Sequence, residues 1–266
     1  MRIVEAASIV LEGAPNFRDI GGYATTDGRV VRSGRVFRSG HLARLTDEDL
    51  ASLTALGVRT VVDFRSEFGV ETFGTDRLPD GARYVWLPIG AGGADPAMRE
   101  AMEAGRFSKL PDLPAANRAL VRENAAEFGR LMTLIADSAN SPLVFHCIGG
   151  KDRTGIAAAL LLSILGVPWS TVRGDYLASN RYFGATLEAR LTRLSESANG
   201  VPDPSDLEAA RRFFIVEGDY IDAARDEIMT VSDSIEAFVN EKLGVPEATV
   251  RRIRDELLEE QEVLGR

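Results

Sequence analysis

One cysteine, Cys147, two histidines, His41 and His146, and no surplus of positive charge set the first limits on this 266-residue chain. A lone cysteine excludes an internal disulfide framework, and two widely separated histidines leave no cluster with metal-ligand spacing, so neither a metal nor another cofactor is expected. A formal net charge of −9 argues against nucleic acid as the main partner, because binding a polyanion requires a broad basic surface. The longest apolar run, Ile156 to Val167, is too short to span a bilayer, and stable membrane insertion is not expected. Arg2, Glu5 and Glu12 interrupt the first apolar residues, which removes the pattern of a secretory leader. A reducing, cytoplasmic setting suits the single thiol.

What is present is an ordinary globular composition, 45% hydrophobic and 27% charged, enough for one substantial core. Its chemistry concentrates between Val144 and Gly155, VFHCIGGKDRTG. Pro142 to Phe145 read as a short buried strand and Ile156 to Leu165 as a buried helix, so Cys147 to Arg153 form the turn between them. Gly149 and Gly150 let the turn curl. A curled strand-to-helix turn directs successive N–H groups inward, and the helix behind adds its partial positive charge, so a phosphate can be held without a metal. Ile148, Gly149, Gly150 and Lys151 are the expected cradle, with Cys147 beneath it.

The same field favours a thiolate, which makes Cys147 the candidate nucleophile. Arg153 is placed to clamp two phosphate oxygens in a fork that lysine cannot reproduce. The Thr154 hydroxyl, in the first helical turn, stands within reach of the sulfur as a stabiliser of the leaving thiolate. His146 reads as a buttress of the loop rather than a base. Asp152 is the candidate general acid; its other reading is an anchor for Lys151 or a neighbouring arginine. Asp63 and Asp95 are the reserve acids.

A cysteine and an arginine six residues apart arise by chance in many chains. The full run, HC-x2-GK-x-RTG between an apolar strand and an apolar helix, resembles the signature of cysteine-dependent protein tyrosine and dual-specificity phosphatases. It is most similar to a bacterial branch, some of whose members also act on phosphoinositides. The resemblance extends to NFRD-x-GG at Asn16 to Gly22, FRSG at Phe37 to Gly40, DFRS at Asp63 to Ser66 and DYLASN at Asp175 to Asn180, and is loosest over 90–114 and 188–206. It implies an α/β fold with a mostly parallel central sheet flanked by helices. The implied activity is metal-independent hydrolysis of phosphate monoesters on a phosphorylated protein or phosphoinositide, through a phospho-cysteine. Many such enzymes take their acid from a mobile Trp-Pro-Asp loop, a tripeptide this chain lacks.

Three other classes compete. A phosphate-recognition module without turnover would share the cradle, and a rhodanese-like sulfur carrier also seats a cysteine among amides. A nucleotide-binding loop needs Ser or Thr after its lysine, whereas Asp152 follows Lys151.

The remaining elements are placed in order. The first fifteen residues are expected to pack as a strand or arm. Arg18 and Asp19 read as a structural pair pinning a loop near the site, or as a border of the phosphate pocket. Thr26 to Arg29 reads as a hairpin turn whose second strand is Val36 to Arg38. Thr46 opens a helix that Gly57 ends, and Thr60 to Phe64 is a buried strand. Asp63 and Arg65 fall at its carboxyl end, where an open α/β sheet keeps its binding crevice; Asp63 is either a brace for the loop or a proton donor. Arg83 to Ile89 is a further strand. The stretch 90–114, rich in Gly, Ala and Pro, reads as a mobile loop and candidate cover, and Ala115 to Asp137 as one long helix. After the loop the strands are expected to stop: 170–182, 186–197, 205–216, 219–230, 232–243 and 246–264 read as helices. The expectation is one unit over 1–266, a core to about residue 168 and a helical cap over 169–266.

Overall fold

The computed structural model describes residues 10–90, 104, 106–110, 112–197 and 203–261. Among these residues seven strands, β1 (Arg18–Asp19), β2 (Arg29–Val31), β3 (Val36–Ser39), β4 (Thr60–Asp63), β5 (Arg83–Trp86), β6 (Leu143–His146) and β7 (Leu258–Glu260), form two sheets. The main sheet has the order β1-β3-β6-β4-β5, with β3, β6, β4 and β5 parallel and β1 antiparallel at one edge. Its helices are α1 (Asp47–Ala55), α2 (Glu67–Phe73), α3 (Leu113–Glu123), α4 (Ala125–Ile135) and α5 (Asp152–Ile164), followed by α6 (Trp169–Ala178), α7 (Asn180–Ser197), α8 (Pro204–Phe214), α9 (Gly218–Val231), α10 (Ile235–Glu241) and α11 (Glu247–Leu257). This is an α/β fold whose mostly parallel sheet is covered by helices and followed by a helical cap.

The central strands β3, β6 and β4 are buried on both faces, as parallel strands inside such a sheet are, while β5 at the edge exposes Tyr84 and Trp86. Successive residues alternate between two cores. Val62, Val85 and Phe145 join α3, α4, α5 and α9 on one side, while Phe37, Val61 and Val144 meet Leu53 of α1 on the other. α5 is apolar almost all round and buried from Thr154 to Leu162, as a helix threaded through the centre must be. α1 starts at Thr46 by a reciprocal cap with Asp49, satisfying donors that a bare helix end leaves open.

Several expectations change. β3 does not pair with the strand before it: β2 bridges to Ala24 through the turn at 26–29 and pairs with β7, while β3 lies inside the main sheet beside β6. The strands therefore do not stop after the loop. The last helix ends at Leu257, and Leu258, in extended backbone, starts β7. The long helix before β6 breaks at Asn124, whose side chain accepts from the Gly90 amide and donates to the Gly90 and Leu120 carbonyls, competing with the helical backbone. α2 was not anticipated; Ser66 caps it by accepting from the Gly69 amide. Residues 10–15 form no strand, although Leu11 and Ala14 are buried. Most of the expected loop at 90–114, with the reserve acid Asp95, lies outside the described residues; within it Phe107–Lys109 form a 3-10 turn, and Pro114 already belongs to α3. Phe107 joins Leu187, Leu191 and Ala210 of α7 and α8 in a third, smaller apolar cluster.

Candidate active site

The parallel register sets Ser39, His146, Asp63 and Trp86 side by side at the carboxyl ends of β3, β6, β4 and β5. Cys147 leaves β6 from the middle of this row, and α5 begins at Asp152. Four of the five intervening residues, Cys147 to Gly150, are held from outside by their carbonyls. His146 Nδ1 lies 3.2 Å from the Cys147 oxygen, the His41 amide donates to Ile148 O at 3.0 Å, and Asn16 Nδ2 donates to Gly149 O at 3.3 Å and Gly150 O at 2.7 Å. Arg38 Nη2 adds a further bond to Gly150 O at 2.9 Å. In a trans peptide the carbonyl and the following N–H point in opposite directions. Turning these four carbonyls outward therefore turns the amides of Ile148, Gly149, Gly150 and Lys151 inward, beside the amino end of α5. Gly150 has φ +65°, and a Cβ there would fall 2.6 Å from the Gly40 nitrogen, so only glycine fits.

Cys147 is buried, 3% exposed. Burial pushes its thiol up, but the Arg153 charge, the Thr154 hydroxyl and the Thr154 amide outweigh burial, and the thiol is held below its ordinary value. Arg153 Nη1 rests on the Phe64 and Ile89 carbonyls at 3.3 and 3.4 Å, which brings it back across the loop from α5. Among the described residues Asp152 has no hydrogen bond to Lys151 or to an arginine; its Oδ1 accepts from Tyr176 of α6 at 2.9 Å. Tyr176 fits so closely over α5 that a Cβ at Gly155 would lie 2.6 Å from its ring. The Lys151 ammonium is turned toward the cap, donating to Phe213 O at 2.5 Å and Ile215 O at 3.3 Å and lying over the Phe183 and Phe213 rings. Burial pulls its pKa below the ordinary lysine value.

Two buried carboxylates organise what lies behind the loop. Asp175 of α6 binds Arg38, whose side chain is 0% exposed, and accepts from Arg18 Nε at 3.0 Å and Tyr23 at 3.1 Å. Arg18 thus pairs with Asp175 and bonds Asn16, not Asp19, whose carboxylate instead accepts from the Gly21 and Gly34 amides. On the other flank Asp63 grips Arg65 at 2.8 Å and accepts from Tyr84 at 2.9 Å, the geometry of a brace. Arg65 also reaches Asp76 at 2.9 Å, and His146 Nε2 lies 3.0 Å from the same Asp76 oxygen. Two carboxylates and an imidazole within 4.8 Å have the composition of a cation site, and the cation there is Arg65.

The sequence alone gave no role to Asn16, Arg38, Asp76, Asp175 or Tyr176. Four of them stand in or beside the motifs NFRD, FRSG and DYLASN, so their positions carried a signal although their partners did not. Asp76 is an isolated acid in a loop and carried none.

The sequence profile of the tyrosine phosphatase family matches residues 9–259. The chain belongs to that family. It is 32% identical over 280 aligned positions to the triple specificity protein phosphatase PtpB of Mycobacterium tuberculosis, covering 93% of this chain and 98% of that protein. It is 34% identical over 250 positions to a Cupriavidus necator protein that bears a tyrosine-protein phosphatase name, covering 89% and 84%. Among solved structures, the core catalytic domain of the PP-IP phosphatase SIW14 from S. cerevisiae aligns over 84% of this chain and 98% of its own, at 11% identity and a TM-score of 0.36, a likeness too distant to carry an argument. As a tyrosine phosphatase, the protein is a phosphoric monoester hydrolase acting on phosphorylated substrates. No helix among the described residues is long and apolar enough to cross a membrane.

Proposed function

We propose that this tyrosine phosphatase works through a phospho-cysteine on Cys147 and accepts phosphotyrosine, phosphoserine or phosphothreonine, and phosphoinositides. The carrying observation is the buried Cys147 at the amino end of α5, in a loop whose carbonyls are bonded outward by Asn16, Arg38 and the His41 amide. In the first step the Cys147 thiolate attacks phosphorus, the bond to the ester oxygen breaks, and Asp152 gives that oxygen its proton. Tyr176 occupies Asp152 Oδ1 and so leaves Oδ2 for this transfer. Arg153 binds two equatorial oxygens as charge spreads onto them. In the second step water attacks phosphorus, Asp152 takes back a proton, and the sulfur leaves as a thiolate next to the Thr154 hydroxyl. His146, Asp63 and Arg65 support the loop.

A single compact unit over the whole chain fits the β2–β7 pairing, which ties residues 258–260 back to 29–31. Initial rates on phosphotyrosine peptide, phosphoserine and phosphothreonine peptides and phosphoinositides at matched concentrations test the substrate range. Turnover of the phosphotyrosine peptide alone would restrict the proposal to that ester. Tight phosphate binding with no phosphate release from any of them would replace it with recognition without turnover.

A further inference from the structure

The quartet behind the loop has a charge problem. Asp63, Arg65, Asp76 and His146 have side chains no more than 1% exposed. With both carboxylates ionised and Arg65 the only cation, the group would hold a net negative charge away from water, which a folded protein avoids. A protonated His146 brings the sum to zero.

Geometry gives the same answer. His146 Nδ1 lies 3.2 Å from the Cys147 carbonyl oxygen, with Asp63 Oδ1 at 3.8 Å, and Nε2 lies 3.0 Å from Asp76 Oδ2, an ion-pair contact outside hydrogen-bond geometry. These oxygens only accept, so a neutral imidazole, with one N–H, would leave the lone pair of its other nitrogen close against one of them. Asp63 is held by Arg65 and Tyr84 and stands 3.8 Å from the ring, whereas Asp76, which the ring shares with Arg65, comes within 3.0 Å. We propose that Asp76 is a positioning residue that fixes His146 as an imidazolium behind the phosphate loop, and that this fixed charge favours the Cys147 thiolate.

Every charged group facing the ring enters the balance. Burial opposes the charge on His146, while Asp76 and then Asp63 overcome it, and Arg65 opposes it less. His41, from the turn after β3, is the remaining neighbour; burial and then Arg65 hold its pKa down at about 4, so it is neutral at pH 7 and does not compete. Asp76 is itself anchored, accepting from the Leu42 amide at 2.9 Å. The imidazolium thus touches the backbone of the nucleophile's own residue, whereas Arg153 and Thr154 act from the α5 side.

The proposal rests on Cys147 as the nucleophile, but its test does not require turnover. The pH dependence of iodoacetamide alkylation of Cys147 reads the thiol directly. Asp76→Asn should move the midpoint upward by about one pH unit, the lower end of the effect of a close charge. Asp76→Glu, which keeps the charge, should retain the parent midpoint, and Tyr84→Phe, which removes only a neutral hydroxyl from Asp63, should leave it unmoved. Asp76→Asn leaves Asp63 balanced by Arg65 and a neutral imidazole, so it is suited to fold. If it does not, nitrogen-15 NMR of the parent protein decides, with only two histidines to assign. His146 should show both ring nitrogens protonated at pH 7. A folded Asp76→Asn with an unchanged midpoint, or a single neutral tautomer of His146 at pH 7, would overturn the proposal; turnover that fails with these readouts intact would refute the hydrolytic mechanism instead.

Discussion

Replacing Asp175 with asparagine tests whether the loop is held by buried charge. Its carboxylate is 2% exposed, binds the fully buried Arg38 and the 13% exposed Arg18, and accepts from Tyr23. Asparagine keeps the shape and removes the charge, leaving Arg38 buried without a counter-ion. Breaking a buried pair by removing one partner costs about 3–5 kcal/mol, against a total stability of about 5–15 kcal/mol for a typical domain. The pH dependence gives an independent handle. Burial would raise the Asp175 pKa, but Arg18 and Arg38 hold it at about 2, below the ordinary value of about 3.9. A depressed folded-state pKa contributes stability that is fully present above the unfolded value and lost as pH falls toward the folded one. The whole contribution is about 2–3 kcal/mol, of which about 1 kcal/mol has gone by pH 3. Urea unfolding at pH 7, 5 and 3 measures both quantities. The variant should be less stable at pH 7 and should lose less between pH 5 and 3 than the parent. A cost below about 1 kcal/mol at pH 7, within the range of an exposed pair, would refute the reasoning.

Arg153→Lys should lower kcat by about 100-fold or more with a smaller change in KM, because the forked contact matters most when charge spreads over the transferring phosphoryl group; steady-state kinetics on one aryl phosphate checks it. Gly150→Ala should lose at least about 1–2 kcal/mol from its left-handed backbone alone, and more from the overlap with Gly40, seen as a lower Tm together with lower kcat/KM. Asp152→Asn should reduce kcat by about 10²-fold or more for esters with poor leaving groups and least for activated aryl phosphates. Equal loss across a leaving-group series would remove Asp152 as the acid.

The loop and the two elements around it were legible because their logic is local: an apolar run that must be a buried strand, two glycines, and an apolar run too long for another strand. The mostly parallel sheet was implied by the resemblance to cysteine-dependent phosphatases. What stayed hidden depended on partners distant in sequence. Arg18 stands beside Asp19, and neighbouring opposite charges invite a pairing, yet β-strand geometry sends consecutive side chains to opposite faces, so Arg18 meets Asp175 instead. Asp76 acquires meaning only because the parallel register lines Asp63 up with His146. β7 was lost inside a run of charged residues that continues the pattern of α11, since a three-residue edge strand has too short a period to register. Lys151 is expected only as part of the cradle; that its ammonium turns to the Phe213 and Ile215 carbonyls is set by the cap.

The central claim is that phosphate passes through sulfur. Rapid acid quenching of the enzyme during turnover of a phosphorus-32 labelled aryl phosphate, followed by peptide mapping, tests it most directly. The account predicts acid-stable label approaching one phosphate per protein on the peptide that contains Cys147, and none in Cys147→Ser despite retained phosphate binding. Full turnover with no labelled Cys147, or a Cys147→Ser variant with parent-like rates, would contradict it.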